Sequence, residues 1–507
     1  MAFSRARLAV APPPSDDVLW ALHEGGDARI LPDAVGRTPY GVSLTPGATD
    51  LEFSSSTASS LSFDAATFLH QLWVNEGCGV ARDPVAEQAW AERIRKRLSD
   101  LITGAPQDRR WRQPAVALAA SGTDAHLILA QYLAAATPKP LSVLMVDPSE
   151  TGSGVPLALA GRNFGTETWL AGKVEKGSPL GPNIETDRLD LRDANGVAFS
   201  EAQLAATLQR KIFAAVGRGR HVLLILVDGS KSGRIAPDLE TVLNLARALP
   251  LDLTVAVDAC QFRCSPTTLC AYLDQGFAVL VTGSKFFTGP TYSAAILTPE
   301  DLSARFAAVA FPPALEAFVG ASDLPPEWAP PATERANNRG LLLRWEAALF
   351  EMERFLRLPD ADVRRLFVKF DHRVRGLMST SAIFAPLPAF DLDRSALGAP
   401  PSWDNVPTII RFRLRRHRDV AAPYLDEAEL RTVQSTLQRR PHPVQLGQPV
   451  RCGGTAETPE FALRFCASSR LAALALASPS AEDALFSAIA FALRAIERVV
   501  LDRAELA

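Results

Sequence analysis

The chain has 507 residues, 47% hydrophobic and 21% charged, with a formal net charge of −3. That balance excludes a disordered or fibrous chain and gives no electrostatic footing for a nucleic-acid partner. Of its 53 basic residues only eight are lysine, and no apolar run approaches the roughly 18 residues that a membrane span requires.

Residues 1–70 read as an arm and lead-in segment, rich in Pro and Gly up to about residue 50. The arm has no apolar stretch of signal-peptide length, so the cytoplasm is the expected compartment. Six cysteines are too few for a disulfide framework, and Cys260, Cys264 and Cys270 lack the paired spacing of a metal site. Ala86, Trp90, Ile94, Leu98 and Leu101 recur at helical intervals and predict helix within 71–102. Short apolar runs at 115–119, 141–147, 222–227, 253–257 and 278–281 then alternate with amphipathic stretches at 124–136, 201–216, 239–249 and 267–273. Strands alternating with helices predict right-handed crossovers and a mainly parallel sheet, hence an α/β domain over 71–311. Pro-Pro pairs at 312–313, 325–326 and 330–331 mark a boundary. Beyond it, a helix at 340–356, strands near 407–414 and 461–466 and a last helix at 481–501 predict a smaller α+β domain, 312–507. The Arg411–Arg418 cluster reads as the exposed face of a strand or, alternatively, an anion site.

Ligands of parallel sheets collect where strands end, so the residues after each apolar run carry the functional argument. Ser121-Gly122-Thr123-Asp124-Ala125 opens a helix with small and hydroxylated residues, a pattern that suits either an N-cap or a phosphate site. Asp258 is the sole acid between Leu253 and Leu273; it either caps a turn or faces a cationic partner, and Gln261 follows three residues on. Lys285 ends the next strand within Thr282-Gly283-Ser284-Lys285-Phe286-Phe287, where flanking phenylalanines predict an apolar setting that favours the uncharged, nucleophilic amine. A phosphate-type helix start, an Asp and a Lys on successive strand ends are together the parts that bind pyridoxal 5′-phosphate (PLP).

The segments Val257-Asp258-Ala259-Cys260-Gln261, Gly276–Lys285 and Gly289-Pro290 resemble the core of fold-type I PLP-dependent enzymes, specifically the class V aminotransferase group of cysteine desulfurases and kynureninases. The resemblance implies a large domain with a mainly parallel, seven-stranded-type sheet, a smaller α+β domain and a homodimer. It implies that Lys285 forms the Schiff base, that Asp258 holds the pyridine nitrogen and that Gln261 approaches the ring hydroxyl. Gly122, Thr123 and Asp124, with Thr282 and Ser284, would hold the phosphate. Arg464, in Ala462–Cys466, would take a substrate carboxylate, and Ser56, in the segment Leu51–Thr57, would line the substrate site.

The sequence departs from the family in two places. The segment after the 141–147 strand, Asp147–Gly154, holds no aromatic or His to cover the ring, so either Glu150 or Thr151 covers that face or an aromatic arrives from elsewhere; Ser230 stands where the family usually has Asn. Cys452, beside Gly453-Gly454, is the one cysteine placed to serve as a mobile sulfur acceptor. The expected activity is therefore lyase or transferase chemistry on an amino acid or related amine. Aminotransfer proper, desulfuration through Cys452 and a non-catalytic protein of the same fold are the alternatives. A nucleotide-binding Rossmann enzyme is excluded, because no G-x-G-x-x-G follows a strand.

Overall fold

Runs of Val, Leu, Ile and Ala too apolar to meet water on either face must become central strands. In the computed structural model, which describes residues 16–34, 36–44, 51–75, 83–104, 111–181, 183–329 and 335–504, they do so. A path of seven strands runs Ala115–Ala119, Ala294–Thr298, Ala278–Thr282, Leu253–Ala259, His221–Asp228, Leu141–Val146, Glu185–Leu189. Only Ala294–Thr298 is antiparallel on this path, and the short Ile235–Ala236 strand is added beside His221–Asp228. Because side chains alternate across a strand, the sheet feeds two apolar clusters. Leu224, Leu226, Val255, Val257, Val279 and Val281 enter one, and Leu223, Ile225, Ala256, Leu280 and Ile296 enter the other.

A second, five-stranded sheet joins Leu51–Phe53, Val444–Gly454, Pro459–Cys466, Ile409–Leu414 and Phe384–Pro386 in that order. The lead-in segment is thus a strand of this sheet, parallel to Val444–Gly454. The helix expected within 71–102 is two helices, Phe63–Asn75 and Pro84–Thr103; Asp83 caps the second by accepting from the Val85 N–H at 3.0 Å. Helices Asp360–Met378 and Glu427–Gln438 were not foreseen. In the proline-rich segment, Leu315, Phe318, Val319, Leu324 and Trp328 are buried against the large sheet, and Trp328 Nε1 donates to Ser303 Oγ at 3.0 Å. Pro330 and Pro331, like residues 1–15 of the arm, lie outside the described residues.

The Arg cluster is exposed only in part. Arg416 and Arg418 are exposed past the strand end at Leu414, and Arg413 and Arg415 are half-buried. Arg411 is buried, a correction, its guanidinium 4.0 Å from the Phe390 ring centroid and donating to the Pro388 carbonyl at 2.7 Å. The arm is tied down by Arg344, which is fully buried and donates to the Tyr292, Leu22 and Glu24 carbonyls at 2.8, 2.7 and 2.7 Å.

Candidate active site

The carboxyl ends of the parallel strands open on one cavity of about 220 Å³. Its wall includes Lys285, Asp258, Gln261, Gly122, Thr123, Thr282, Ser284, Ser230, Thr151, Arg464 and Ser56. Glu150 is there too, so twelve of the fourteen residues singled out from sequence meet here, from both sheets and the turns after their strands; Asp124 and Cys452 do not. The Asp124 carboxylate accepts from the Ser121 hydroxyl while the Asp124 N–H donates to Ser121 Oγ at 3.3 Å. The physical reason is that the third residue of a helix points back to its cap. Burial raises the Asp124 carboxyl to about 6.

Lys285 stands in a turn held from both sides. Gly283 N–H donates to the Ser293 carbonyl at 2.7 Å, Gly289 N–H to the Gly283 carbonyl at 2.9 Å, and Thr288 N–H to the Lys285 carbonyl at 3.0 Å. The flanking phenylalanines point away from the cavity. Phe286 is fully buried and stacks on Trp403 with centroids 4.9 Å apart, so it anchors the turn while Lys285 faces a polar, hydroxyl-lined space. This corrects the apolar setting expected for the amine.

Asp258 ends the neighbouring strand, one Oδ accepting from the Cys260 N–H at 3.1 Å. The other lies 3.5 Å from His126 Nε2. His126 Nδ1 faces the Gly122 carbonyl at 2.7 Å and therefore carries its hydrogen there. His126 carried no sequence signal of its own beyond its place one turn after Gly122, where it shares a face with the helix start. Arg29, Tyr40 and Tyr292 were also missed; they complete the wall from the arm and from the turn after Lys285. Arg29 closes on Asp27, whose carboxylate also accepts from Tyr292 Oη.

Ser230 does not stand free: its hydroxyl donates to Glu150 at 2.6 Å, and Ser232 gives that carboxylate its N–H and hydroxyl at 3.1 and 2.9 Å. The Thr282 hydroxyl donates to the Cys260 carbonyl at 2.6 Å, and Gln261 Nε2 to the Ser56 carbonyl at 3.0 Å. By contrast, Gln261 Oε1, Thr151 Oγ1, Thr291 Oγ1 and His126 Nε2 are buried, line the cavity and have no hydrogen-bond partner. Gly122 lets the helix start approach the sheet, since a Cβ there would meet Cys260 Sγ at 2.8 Å. Cys452 lies on the Val444–Gly454 strand rather than on a mobile loop, outside the lining, and burial raises its thiol. No metal-binding group of His, Cys, Asp and Glu occurs among the described residues.

No protein-family model and no curated protein matches this chain. Solved structures do. A NifS-like protein matches with a TM-score of 0.52 at 11% identity, covering 87% of this chain and 98% of that one. The cystine C–S lyase C-DES, in complex with its product cysteine persulfide, matches at 0.51 and 14% identity, over 87% and 97%. Oryza sativa TDC with PLP and tryptamine matches at 0.51 and 14% identity, over 99% and 91%. The likeness is one of fold: the chain has the fold-type I architecture of PLP-dependent enzymes.

Proposed function

We propose that this protein is a PLP-dependent enzyme acting on an amino acid or related amine. The observation that carries the reading is the meeting of Lys285 and Asp258, from adjacent strand ends, in a cavity walled by buried polar atoms that lack partners. Buried polar groups without partners cost roughly 1–3 kcal/mol each. A polar ligand in this space relieves that cost, and the donor set fits PLP. Lys285 would hold it through its amine, Asp258 would pair with the pyridine nitrogen, and Thr123, Ser284 and the N–H groups opening the Gly122–Ala136 helix would take the phosphate. Bound there, the cofactor supplies an electron sink for a bond broken at the substrate α-carbon. His126 Nε2, 3.5 Å from the Asp258 carboxylate and without a hydrogen-bond partner, is one of the polar atoms that a ligand would meet beside that carboxylate. With cofactor and substrate bound, the Lys285 amine would be the group placed to move a proton at that carbon.

The test is chemical. Protein incubated with PLP and reduced with borohydride should carry the cofactor on Lys285, found by peptide mass, and Lys285→Ala should lose both the adduct and the yellow colour. An adduct on Lys231 instead, or undiminished colour in Lys285→Ala, refutes the assignment. Lyase or transferase chemistry, the homodimer and the cytoplasmic location belong to the same proposal. Keto acid, ammonia, sulfide and carbon dioxide assays separate the reactions, and light scattering tests the dimer. No helix of the described residues is long and apolar enough to cross a membrane.

A further inference from the structure

Four strongly basic side chains line the cavity: Arg29, Lys231, Lys285 and Arg464. A substrate carboxylate needs one with donors to spare. Arg29 keeps a free Nη1 edge, but its charge is already met: Nε and Nη2 donate to the Asp27 carboxylate at 2.9 and 2.6 Å in an ion pair that stands before any substrate arrives. Arg464, which is buried, has five N–H donors, and four bonds engage them. Nε donates to the Gln448 carbonyl at 3.0 Å, Nη1 to the Ser56 and Lys231 carbonyls at 3.2 and 3.1 Å, and Nη2 to Thr57 Oγ1 at 2.8 Å. With Nε and both Nη1 hydrogens committed, neither edge of the guanidinium offers the two free N–H groups of a bidentate pair. Lys285 is taken by the cofactor on the reading above.

Lys231 differs. Its N–H donates to the Glu150 carbonyl at 2.9 Å and its carbonyl accepts from Arg464, so its backbone is fixed on both sides. Three residues back, Asp228 is gripped by Arg394 at 2.8 and 2.6 Å, which pins the start of the turn. The Lys231 ammonium makes no hydrogen bond or ion pair with a described residue, and the Glu150 carboxylate is engaged by Ser230 and Ser232. We propose that Lys231 is the carboxylate-binding cation of this site and Arg464 its structural brace, so that the substrate is an α-amino acid rather than a simple amine. This inference rests on the PLP reading and names its substrate class.

Burial, helped by Arg464 and Lys285, lowers the Lys231 ammonium to about 8, with Glu150 and Asp258 acting the other way. It is therefore mostly charged at neutral pH, and a bound carboxylate would raise it.

The PLP-loaded protein is treated near pH 8 with an amine-acylating reagent, and labelling of Lys231 is followed by peptide mass in acetate, succinate or chloride at equal ionic strength. A carboxylate at about ten times its Kd should slow labelling roughly tenfold, with no effect of chloride. Equal labelling in all three salts overturns the proposal. In a second measurement, succinate is titrated against the visible absorption of the bound cofactor. Its affinity should fall about tenfold or more in Lys231→Gln and recover in Lys231→Arg. Equal affinity in wild type and Lys231→Gln also overturns it. Failure of the PLP reading is recognised separately, by the absence of cofactor from Lys285 after reduction.

Discussion

Gly283→Ala perturbs the lysine turn without altering any side chain of the cavity wall. A methyl group there would meet Ala348 Cβ at 2.5 Å, Ser293 Oγ at 3.2 Å and Trp345 Cζ3 at 3.4 Å. The first contact cannot stand. Ala348 belongs to the Arg339–Leu356 helix, where Trp345 Nε1 donates to the Ala294 carbonyl at 3.1 Å, so the helix is already keyed to the strand that follows the turn. The strand end must give way, at a cost of about 1–3 kcal/mol, and Lys285 moves with it. Ala348→Gly removes the clashing atom for about 1 kcal/mol of helix propensity. Urea unfolding of both single variants and the double variant forms a cycle. The double variant should be more stable than the sum of the singles by roughly 0.5–3 kcal/mol, the coupling typical of residues in contact. Cofactor incorporation at Lys285 should fall in Gly283→Ala and recover in the pair. Additive stabilities, with incorporation unchanged throughout, would refute the contact argument.

Arg344→Met leaves the Tyr292, Leu22 and Glu24 carbonyls without their donor; at about 1 kcal/mol or more each, the loss should total roughly 3 kcal/mol and speed proteolysis within 16–44. An unchanged cleavage rate would count against the clamp. Lys231→Met should stabilise the cofactor-free protein at neutral pH. The folded-state value of about 8 lies below the ordinary 10.5, so the charged form is disfavoured below 8 and stability climbs as pH rises towards 10.5. Lys231 is largely buried, so the shift corresponds to about 3 kcal/mol, and thermal unfolding at pH 7 and 9.5 checks the sign. Asp124→Asn acts through the opposite shift: a carboxyl raised from 3.8 to about 6 stabilises most below 3.8 and loses that contribution as pH rises through 6. The variant should flatten the stability profile across that window, and an unchanged slope would place the slope elsewhere.

The large sheet was legible because its strands are buried on both faces and read as unbroken apolar runs, and Lys285 and Asp258 were legible because they stop those runs. Residues brought by tertiary contact were not. Arg29 and Tyr40 lie in an arm whose local sequence looks irregular, and are held at the cavity by contacts distant in sequence: Asp27 with Tyr292, Gly25 with Asn338, Ser43 with Ser60. Gly453-Gly454 suggested mobility at Cys452, yet both glycines are paired in a strand, where register rather than composition decides. Phe286 and Phe287 suggested an apolar amine because sequence neighbours were taken as spatial neighbours; the turn sends them into the aromatic cluster around Trp403 and Phe355 instead. Arg464 matched the expected strand, but only coordinates reveal how its donors are spent.

The clamp at Arg344 also sets an order of events during synthesis. Its partners Leu22 and Glu24 leave the ribosome more than three hundred residues before the guanidinium that holds them. A nascent chain that has passed Asp258 and Lys285 therefore carries both residues while the Leu22–Glu24 stretch of the arm still lacks its donor, although Ser43 can already meet Ser60 and Leu61. The cavity is complete only in the late chain, once the Arg339–Leu356 helix has docked against the turn beside it and Gln448 and Arg464 have been made.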